Sequence, residues 1–258
     1  MKIGITERGD ASINTIWYPK LLTKCFDGAI LITKHITDDF IQRVIRLHRA
    51  EVKLVIHATC TGWGGTWMEP NVPDYKTQIN QVYKLIQDGF PANCIVLRID
   101  PIIPNDEGLQ RVHEVMDYAK RILPLYCMRI RVSILDEYPH VKKRLRDMGK
   151  ENIYPGNQFQ ASIAQMQKTA DLLCAELDLP YVYETCAENT LVACYPERFL
   201  PVGCVSVKDM NLMGLSVPEG LIENMQNRRG CHCLSCKTEL LNTKGQCPHR
   251  CVYCYWKG

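Results

Sequence analysis

The sequence lacks several features that would place a protein in a broad class at once. No apolar run approaches the roughly 20 residues needed to span a bilayer, and the first residues do not resemble a secretion signal. A net charge of +3 is too small to indicate nucleic-acid binding by itself. Internal repeats and low-complexity tracts are absent. We therefore expect a cytoplasmic protein that does not bind membranes and folds around a large core.

Cysteine, in contrast, is abundant, with 14 in 258 residues. In a reducing compartment, clustered cysteines indicate metal binding or catalysis rather than disulfides. Seven cysteines lie between Cys204 and Cys254. Most of the others are scattered, and scattered cysteines usually act as small buried apolar residues.

The first 190 residues alternate between apolar runs rich in Val and Ile and amphipathic stretches with helical periodicity. Such runs are typical of strands buried on both faces of a parallel sheet. The predicted strands are Lys2–Glu7, Gly28–Thr33, Lys53–Thr59, Cys94–Ile99, Arg129–Leu135 and Tyr181–Thr185. Six successive β/α units predict an α/β fold, as a parallel (β/α) barrel or partial barrel, with a doubly wound open sheet as the alternative.

Polar residues follow every predicted strand. In a parallel barrel, the carboxyl ends of the strands gather the active site, so we expect these side chains to converge on one cavity. The candidates are Arg8, Asp10, Lys34, Arg98, Asp100, Asp136 and Tyr138.

The β/α rhythm ends near residue 190, after which Pro, Gly and Cys become frequent. We predict a (β/α) barrel over residues 1–190 and a Cys-rich, metal-binding tail over 191–258 that packs on it. One short helix is expected in this tail, near Glu219–Met225.

The end of the chain carries the strongest motif. Cys247, Cys251 and Cys254 form a Cys-x3-Cys-x2-Cys array, with Tyr253 before the last cysteine. Three thiolates suit a [4Fe–4S] cluster in which one iron has no protein ligand. Zinc is the alternative, because closely spaced cysteines also bind zinc and His232 and His249 are available.

The spacing of this array and its aromatic residue resemble the signature of the radical S-adenosylmethionine (SAM) enzymes. The resemblance implies an open [4Fe–4S] cluster that chelates SAM and generates a 5′-deoxyadenosyl radical. That motif usually lies near the start of the chain, so its position here predicts a circularly permuted radical SAM barrel. The permutation would bring Arg8 to the SAM carboxylate and Asp10 to its ammonium or ribose. Further cofactor-binding candidates are Lys34, Arg98 and Tyr253.

The order of short motifs also resembles a bacterial and archaeal family known as domain of unknown function 1848. The resemblance covers almost the whole chain and implies no substrate. This chain differs from the family pattern at Gly9, where a hydroxyl residue is usual, and in the additional Cys236. The matching segments are Arg8–Asp10, Thr33–Lys34, Arg98–Ile102, Ser133–Tyr138, Thr185–Glu188, Cys204, Cys231–Cys233 and Cys247–Tyr255.

Four further cysteines, Cys186, Cys204, Cys231 and Cys233, could hold a second, auxiliary [4Fe–4S] cluster. Cys236 could replace one of them. A structural zinc bound by the same four thiolates is the alternative.

We therefore expect a radical SAM enzyme that acts on an unknown substrate and is reduced by a partner such as flavodoxin or ferredoxin. Asp100, Asp136 and Tyr138 are the catalytic candidates. A second hypothesis is a binding protein without catalysis, stapled by zinc or an iron–sulfur cluster, which contacts nucleic acid through Lys142–Arg146 and Arg228–Arg229. A third is a barrel hydrolase or isomerase with structural zinc that uses Asp100, Asp136 and His57.

Overall fold

The computed structural model of the protein describes residues 1–23, 25–178, 180–217, 219–221, 231–241 and 247–255. It is an α/β fold in which eight parallel strands form one sheet. The strands are β1 (Ile3–Ile5), β2 (Gly28–Thr33), β3 (Leu54–Thr59), β4 (Ile95–Ile102), β5 (Arg129–Ile134), β6 (Tyr183–Thr185), β7 (Phe199–Pro201) and β8 (Lys237–Glu239).

Helices connect the strands, and most of them form the outer layer. They are α1 (Trp17–Leu22), α2 (Asp38–Arg49), α3 (Tyr75–Gln87), α4 (Asp106–Ile122), α5 (Pro139–Asp147), α6 (Ile163–Glu176), α7 (Asn189–Cys194) and α8 (Val207–Leu212). None of the helices in these described ranges is long and apolar enough to cross a membrane. The short helix expected near Glu219–Met225 falls largely outside the described residues.

The strands lie in the order β7-β6-β5-β4-β3-β2-β1-β8. From β1 to β7 each crossover moves the chain one strand in the same direction. A doubly wound sheet would reverse direction at a switch point, so the alternative fold is not found. The sheet is open, because no pairing joins β7 to β8 in the part of the chain that is described. Closure into a barrel is therefore not established.

All six predicted strands are present, and β7 and β8 come from the predicted Cys-rich tail. The strand β8 lies beside β1, where Ile3 pairs with Lys237 and Ile5 with Glu239. Its sequence, Lys-Thr-Glu, has none of the apolar character used to predict the others. The tail thus contributes to the sheet as well as to the thiol groups.

Side-chain caps begin several of the helices, including α2 and α3. The Thr37 hydroxyl accepts a hydrogen bond from the Phe40 amide at the start of α2, and Asp74 accepts from the first turn of α3. The inward sides of these helices pack on alternate strand residues such as Leu54 and Ile56. This packing forms the main hydrophobic core.

The face of the sheet opposite the helices α2 and α3, called the inner face below, is covered by the tail. A second cluster joins Ile3, Val55 and Val96 from the strands to cysteines and methionines of the tail, including Cys204, Met210, Met213, Cys231 and Cys233. The inner face therefore carries tail cysteines, while the outer face carries helices.

A third, smaller cluster lies beyond the carboxyl ends of the strands. Val252 and Tyr253 of the terminal array pack there against Trp63, Met68 and Ile103. The chain therefore returns to the edge of the sheet at which polar residues were expected to gather.

Candidate metal centres

The terminal segment, defined as Cys247–Tyr255, is anchored first by the loop after β1. Both ring nitrogens of His249 donate hydrogen bonds, Nε2 to Asp10 at 2.8 Å and Nδ1 to the Asn71 carbonyl at 3.0 Å. Burial alone would lower the pKa of His249, but the hydrogen bond and charge of Asp10 raise it above its usual value. His249, one of the candidate zinc ligands, thus forms a buried ion pair.

Asp10 is buried and accepts hydrogen bonds from four protein donors. Besides His249, these are the Thr33 hydroxyl and the amides of Ser12 and Lys34, at 2.6–2.9 Å. A carboxylate offers about four lone-pair sites, so these four protein donors already use the hydrogen-bond accepting capacity of Asp10. Asp10 therefore joins the β1 and β2 loops to the terminal segment, and its predicted contact with SAM stays a prediction.

A second anchor is built around Tyr253. The Lys34 ammonium, after β2, donates to the Tyr253 hydroxyl at 2.7 Å and to Glu69, after β3, at 2.9 Å. The Tyr253 hydroxyl donates in turn to Glu69, whose second oxygen accepts from Thr61 at 2.8 Å. Burial would lower the pKa of Lys34, but Glu69 and, after it, the neighbouring Cys251 raise it. Lys34 therefore stays cationic beside the terminal cysteines.

Backbone contacts complete the attachment. The Val252 amide donates to the Met68 carbonyl at 2.9 Å. Arg144 on α5 donates to the carbonyls of Val252 and Cys254 at 2.8 and 2.7 Å. Loops that follow β1, β2 and β3, together with the helix after β5, thus hold the terminal segment at the carboxyl edge of the sheet.

The three terminal thiols lie within electrostatic range of one another. Burial raises the pKa of Cys251 to about 12; Lys34 opposes this rise and the neighbouring Glu69 and cysteines add to it. A bound metal cation would instead lower the pKa of Cys251, because thiolates ligate metals and ligation releases the proton. Among the residues that the structure describes, no three His, Cys, Asp or Glu side chains are arranged to hold a metal ion.

A second thiol group lies against the inner face. The sulfur atoms of Cys186 and Cys204 are 4.0 Å apart, and the Cys204 amide donates to the Cys233 sulfur at 3.2 Å. Cys231 and the predicted alternative ligand Cys236 belong to the same cluster. None of these cysteines is in a disulfide. The fold thus brings Cys186 and Cys233 to Cys204, with Cys231 and Cys236 in the same cluster.

Two arginines, each paired with a carboxylate, lie close to these thiols. Hydrogen bonds from Cys186 and Cys233, together with the charges of Arg98 and Arg131, hold the pKa of Cys204 well below its usual value. Arg131 is fully buried and pairs with Glu184 at 2.7 Å. The interior is therefore suited to an anionic sulfur centre.

The charge network extends along the inner face. Arg129 donates to Glu184 at 2.7 Å and to the buried Asp209 of α8 at 2.6 Å. Burial would raise the pKa of Glu184, but Arg131 and Arg129 lower it to about 2. Sequence patterns did not identify this network, because its members come from β5, β6 and α8 and meet only in the fold.

Arg98 and Asp100, at the end of β4, form an ion pair with each other. The charge of Arg98 acts on the thiols of Cys186 and Cys204, and the charge of Asp100 acts on Lys34. The pair thus lies in electrostatic range of both the interior thiols and the anchor of the terminal segment.

The remaining predicted residues are more dispersed. Arg8 is exposed after β1, within electrostatic range of Glu239 of β8. Tyr138 packs edge-on against Phe159 at 4.8 Å. Its ring also lies 6.4 Å from that of Tyr255, beside the last cysteine. Tyr138 therefore neighbours the terminal segment, and the exposed Arg8 lies two residues before Asp10, which holds that segment through His249.

Glu188 is a further candidate that the sequence placed only within a motif. Burial, with Asp136 and Asp100 nearby, raises its pKa to about 7, although it accepts hydrogen bonds from the Ile134 amide and the Ser133 hydroxyl. A carboxyl group with this pKa can exchange a proton near neutral pH. In the sequence, only its position directly after a predicted strand, now β6, indicated that Glu188 could belong to the site.

Comparison with known proteins identifies a family but no activity. The family model of DUF1848, a domain of unknown function, matches residues 10–256. The chain belongs to this family. The DUF1848 match spans seven of the eight described strands, from β2 to β8, and all seven cysteines of the two candidate centres. No curated protein matches the chain.

Proposed function

We propose that this DUF1848 protein is a radical SAM enzyme in which Cys247, Cys251 and Cys254 hold an open [4Fe–4S] cluster. The observation that supports this most directly is the attachment of the terminal segment to loops at the carboxyl edge of a parallel sheet. Active sites of parallel (β/α) folds gather at that edge. When bound, the cluster and SAM would supply the radical chemistry.

The chemistry of the donor set fits such a cluster, although the thiols of the described residues are not arranged around a metal ion. Three thiols lie in one short segment within electrostatic range of each other, and three cysteine ligands leave one iron of a cubane for another ligand. Cationic Lys34 lies within range of Cys251 and would stabilise negative charge at the sulfur atoms. The bonds of Tyr253 to Lys34 and Glu69 fix the aromatic ring beside the last cysteine.

We also propose that the open sheet forms the wall of a partial barrel, permuted relative to other radical SAM enzymes. The one-directional strand order from β1 to β7 and the position of β8 beside β1 support this. The inner face, which carries His57, Arg98 and Arg131, would line the interior of that barrel.

Binding and proton transfer would fall to side chains at the strand ends. Lys34, Arg98 and Tyr253 are the proposed contacts for SAM, while Asp10 holds the loops and His249 in place. Asp100, Asp136 and Tyr138 remain the proposed catalytic residues. Glu188 joins them, because its raised pKa lets it hold or release a proton near neutral pH.

We propose that Cys186, Cys204, Cys231 and Cys233 hold an auxiliary [4Fe–4S] cluster. Their shared position on the inner face, within electrostatic range of Arg98 and Arg131, supports this centre. An external reductant such as flavodoxin or ferredoxin would supply the electron, and the substrate is one not yet known.

Anaerobic purification and reconstitution test the proposal. We expect about eight irons and as many sulfides per chain, four for each cubane. Adding SAM should change the electron paramagnetic resonance (EPR) spectrum of the reduced protein, because SAM binds the open iron. The Cys251→Ser variant should lose about half of the iron and this response, while Cys127→Ser, at an exposed cysteine outside both groups, should keep both. Stoichiometric zinc without sulfide would favour the binding protein without catalysis.

A further inference from the structure

His57 has the most unusual environment of the buried polar residues. It lies on the inner face of β3, fully buried, and neither ring nitrogen has a hydrogen-bond partner among the described residues. A buried polar group without a partner is costly, and most buried polar groups have one. An apolar residue at this position would avoid the cost, so the histidine requires an explanation.

The surroundings of His57 place it beside the interior thiols. It follows Val55 by two residues and therefore lies on the same face of the sheet. Val55 packs in the cluster that contains Cys204, Cys231 and Cys233. The Cys204 thiol lies within electrostatic range of the His57 ring.

Two neighbouring arginines share this feature. Nε of Arg98 and one terminal nitrogen of Arg131 are buried without a partner in the described structure. Both side chains lie within electrostatic range of His57 and of the Cys204 thiol. Three nitrogen-bearing side chains thus lie within electrostatic range of the Cys204 thiol, and each has at least one buried nitrogen without a partner among the described residues.

We propose that His57 donates a hydrogen bond to a sulfur atom of an iron–sulfur cluster held by the interior cysteines. The inference rests on the proposed function, because it requires the auxiliary cluster. A cubane offers inorganic sulfides as well as cysteine sulfurs as acceptors, whereas a zinc site offers only the cysteine sulfurs. His57 is thus a positioning residue that tunes the cluster rather than one of its ligands.

Hydrogen bonds to cluster sulfurs affect the reduction potential. They stabilise the reduced form more, because reduction adds negative charge to the cluster. The donor from His57 should therefore raise the potential of the interior cluster.

The test isolates the interior cluster in the full-length chain. A background variant with Cys247→Ala, Cys251→Ala and Cys254→Ala is reconstituted anaerobically with iron and sulfide. We expect it to retain about four irons per chain and to give the EPR signal of a reduced cubane. Its midpoint potential is then measured by EPR-monitored titration.

His57→Leu in this background should lower the potential by about 59 mV, a tenfold shift in the one-electron reduction equilibrium. His57→Gln keeps an N–H donor and should stay closer to the background value. The matched control, His48→Leu, removes a histidine that packs on Phe90 in the outer layer and should change nothing. His57→Met provides the same test if His57→Leu does not fold.

Each outcome decides the inference. An intact cluster with unchanged potential in His57→Leu and His57→Met would overturn it. Loss of iron in both His57→Leu and His57→Gln would overturn it in favour of direct ligation. Zinc without sulfide in the background variant would remove the auxiliary cluster itself, which is a failure of the proposed function and is distinguishable from the other two.

Discussion

The two thiol groups of this protein are built in opposite ways. The terminal cysteines lie in one short segment that loops at the strand ends hold from outside. The interior cysteines come from three separate segments and meet on the inner face of the sheet. Burial raises the pKa of Cys251 to about 12, whereas thiol hydrogen bonds and two arginines hold the pKa of Cys204 well below its usual value. The close spacing of the terminal cysteines makes that group recognisable in the sequence, whereas the interior cysteines come together only through the chain topology.

This contrast predicts where stability resides. We expect the interior charges to support the whole fold and the terminal contacts to support mainly the terminal segment. The predictions below test that division, from the largest expected effect to the smallest.

Glu184→Gln should have the largest effect. It leaves the buried guanidinium groups of Arg129 and Arg131 without their shared carboxylate, which should lower the free energy of unfolding by about 3–5 kcal/mol. Denaturant unfolding of the metal-free protein measures this. Asp39→Asn, which breaks an exposed pair with Arg43, is the control and should cost less than about 1 kcal/mol. Equal losses of unfolding free energy in the two variants would contradict the claim that the interior charge network stabilises the whole fold.

Acid should reproduce part of this loss in the unmodified chain. The pKa of Glu184 is about 2 in the folded state, below its usual value of 4.5, so its contribution is full above pH 4.5 and fades as the pH falls toward 2. The contribution is about 3 kcal/mol. The difference in unfolding free energy between the unmodified chain and Glu184→Gln should therefore shrink over this range. A constant difference would contradict the assigned pairing.

Glu69→Gln should have an intermediate effect confined to the terminal segment. The variant removes the charge that pairs with Lys34 and weakens the bond to Tyr253, at a cost of about 1–3 kcal/mol. The reconstituted protein should lose iron from the terminal centre and keep about four irons inside. Thr77→Ala, at the exposed start of α3, is a suitable control. Equal iron loss from both centres would show that they are not independent.

Asn71→Ala should have the smallest effect. It removes one exposed hydrogen bond, from the Asn71 amide to the Pro248 carbonyl at 2.7 Å. The free energy of unfolding should change by less than about 1 kcal/mol. We expect the reconstituted protein to release iron to a chelator in two phases, the faster one from the terminal centre. The Asn71→Ala variant should nevertheless accelerate this faster phase. If only the slower phase accelerated, the slower phase rather than the faster one would have to come from the terminal centre.

The sequence was most informative where structure is local. Apolar runs such as Gly28–Thr33 predicted strands correctly, because strands buried on both faces need continuous apolar character. Caps such as Thr37 and Asp74 are also local features, because each acts within one helical turn. The terminal array was visible for the same reason.

Features that depend on distant parts of the chain were not predicted. The polar strand β8 is stabilised by its pairing with β1, and no pattern in its three residues indicates a strand. Glu69 lies in a loop, and only the fold brings it to Lys34 and Tyr253. His57 was considered for another role, because burial without partners is a property of the assembled inner face.

Reductive cleavage of SAM tests the central claim most directly. The anaerobically reconstituted protein, its Cys251→Ala variant and the control Cys127→Ala are incubated with SAM and dithionite, and 5′-deoxyadenosine is quantified. We expect production by the unmodified protein and Cys127→Ala and none by Cys251→Ala, which should still be folded by circular dichroism. Undiminished production by Cys251→Ala would contradict the assignment of an open cluster to the terminal cysteines.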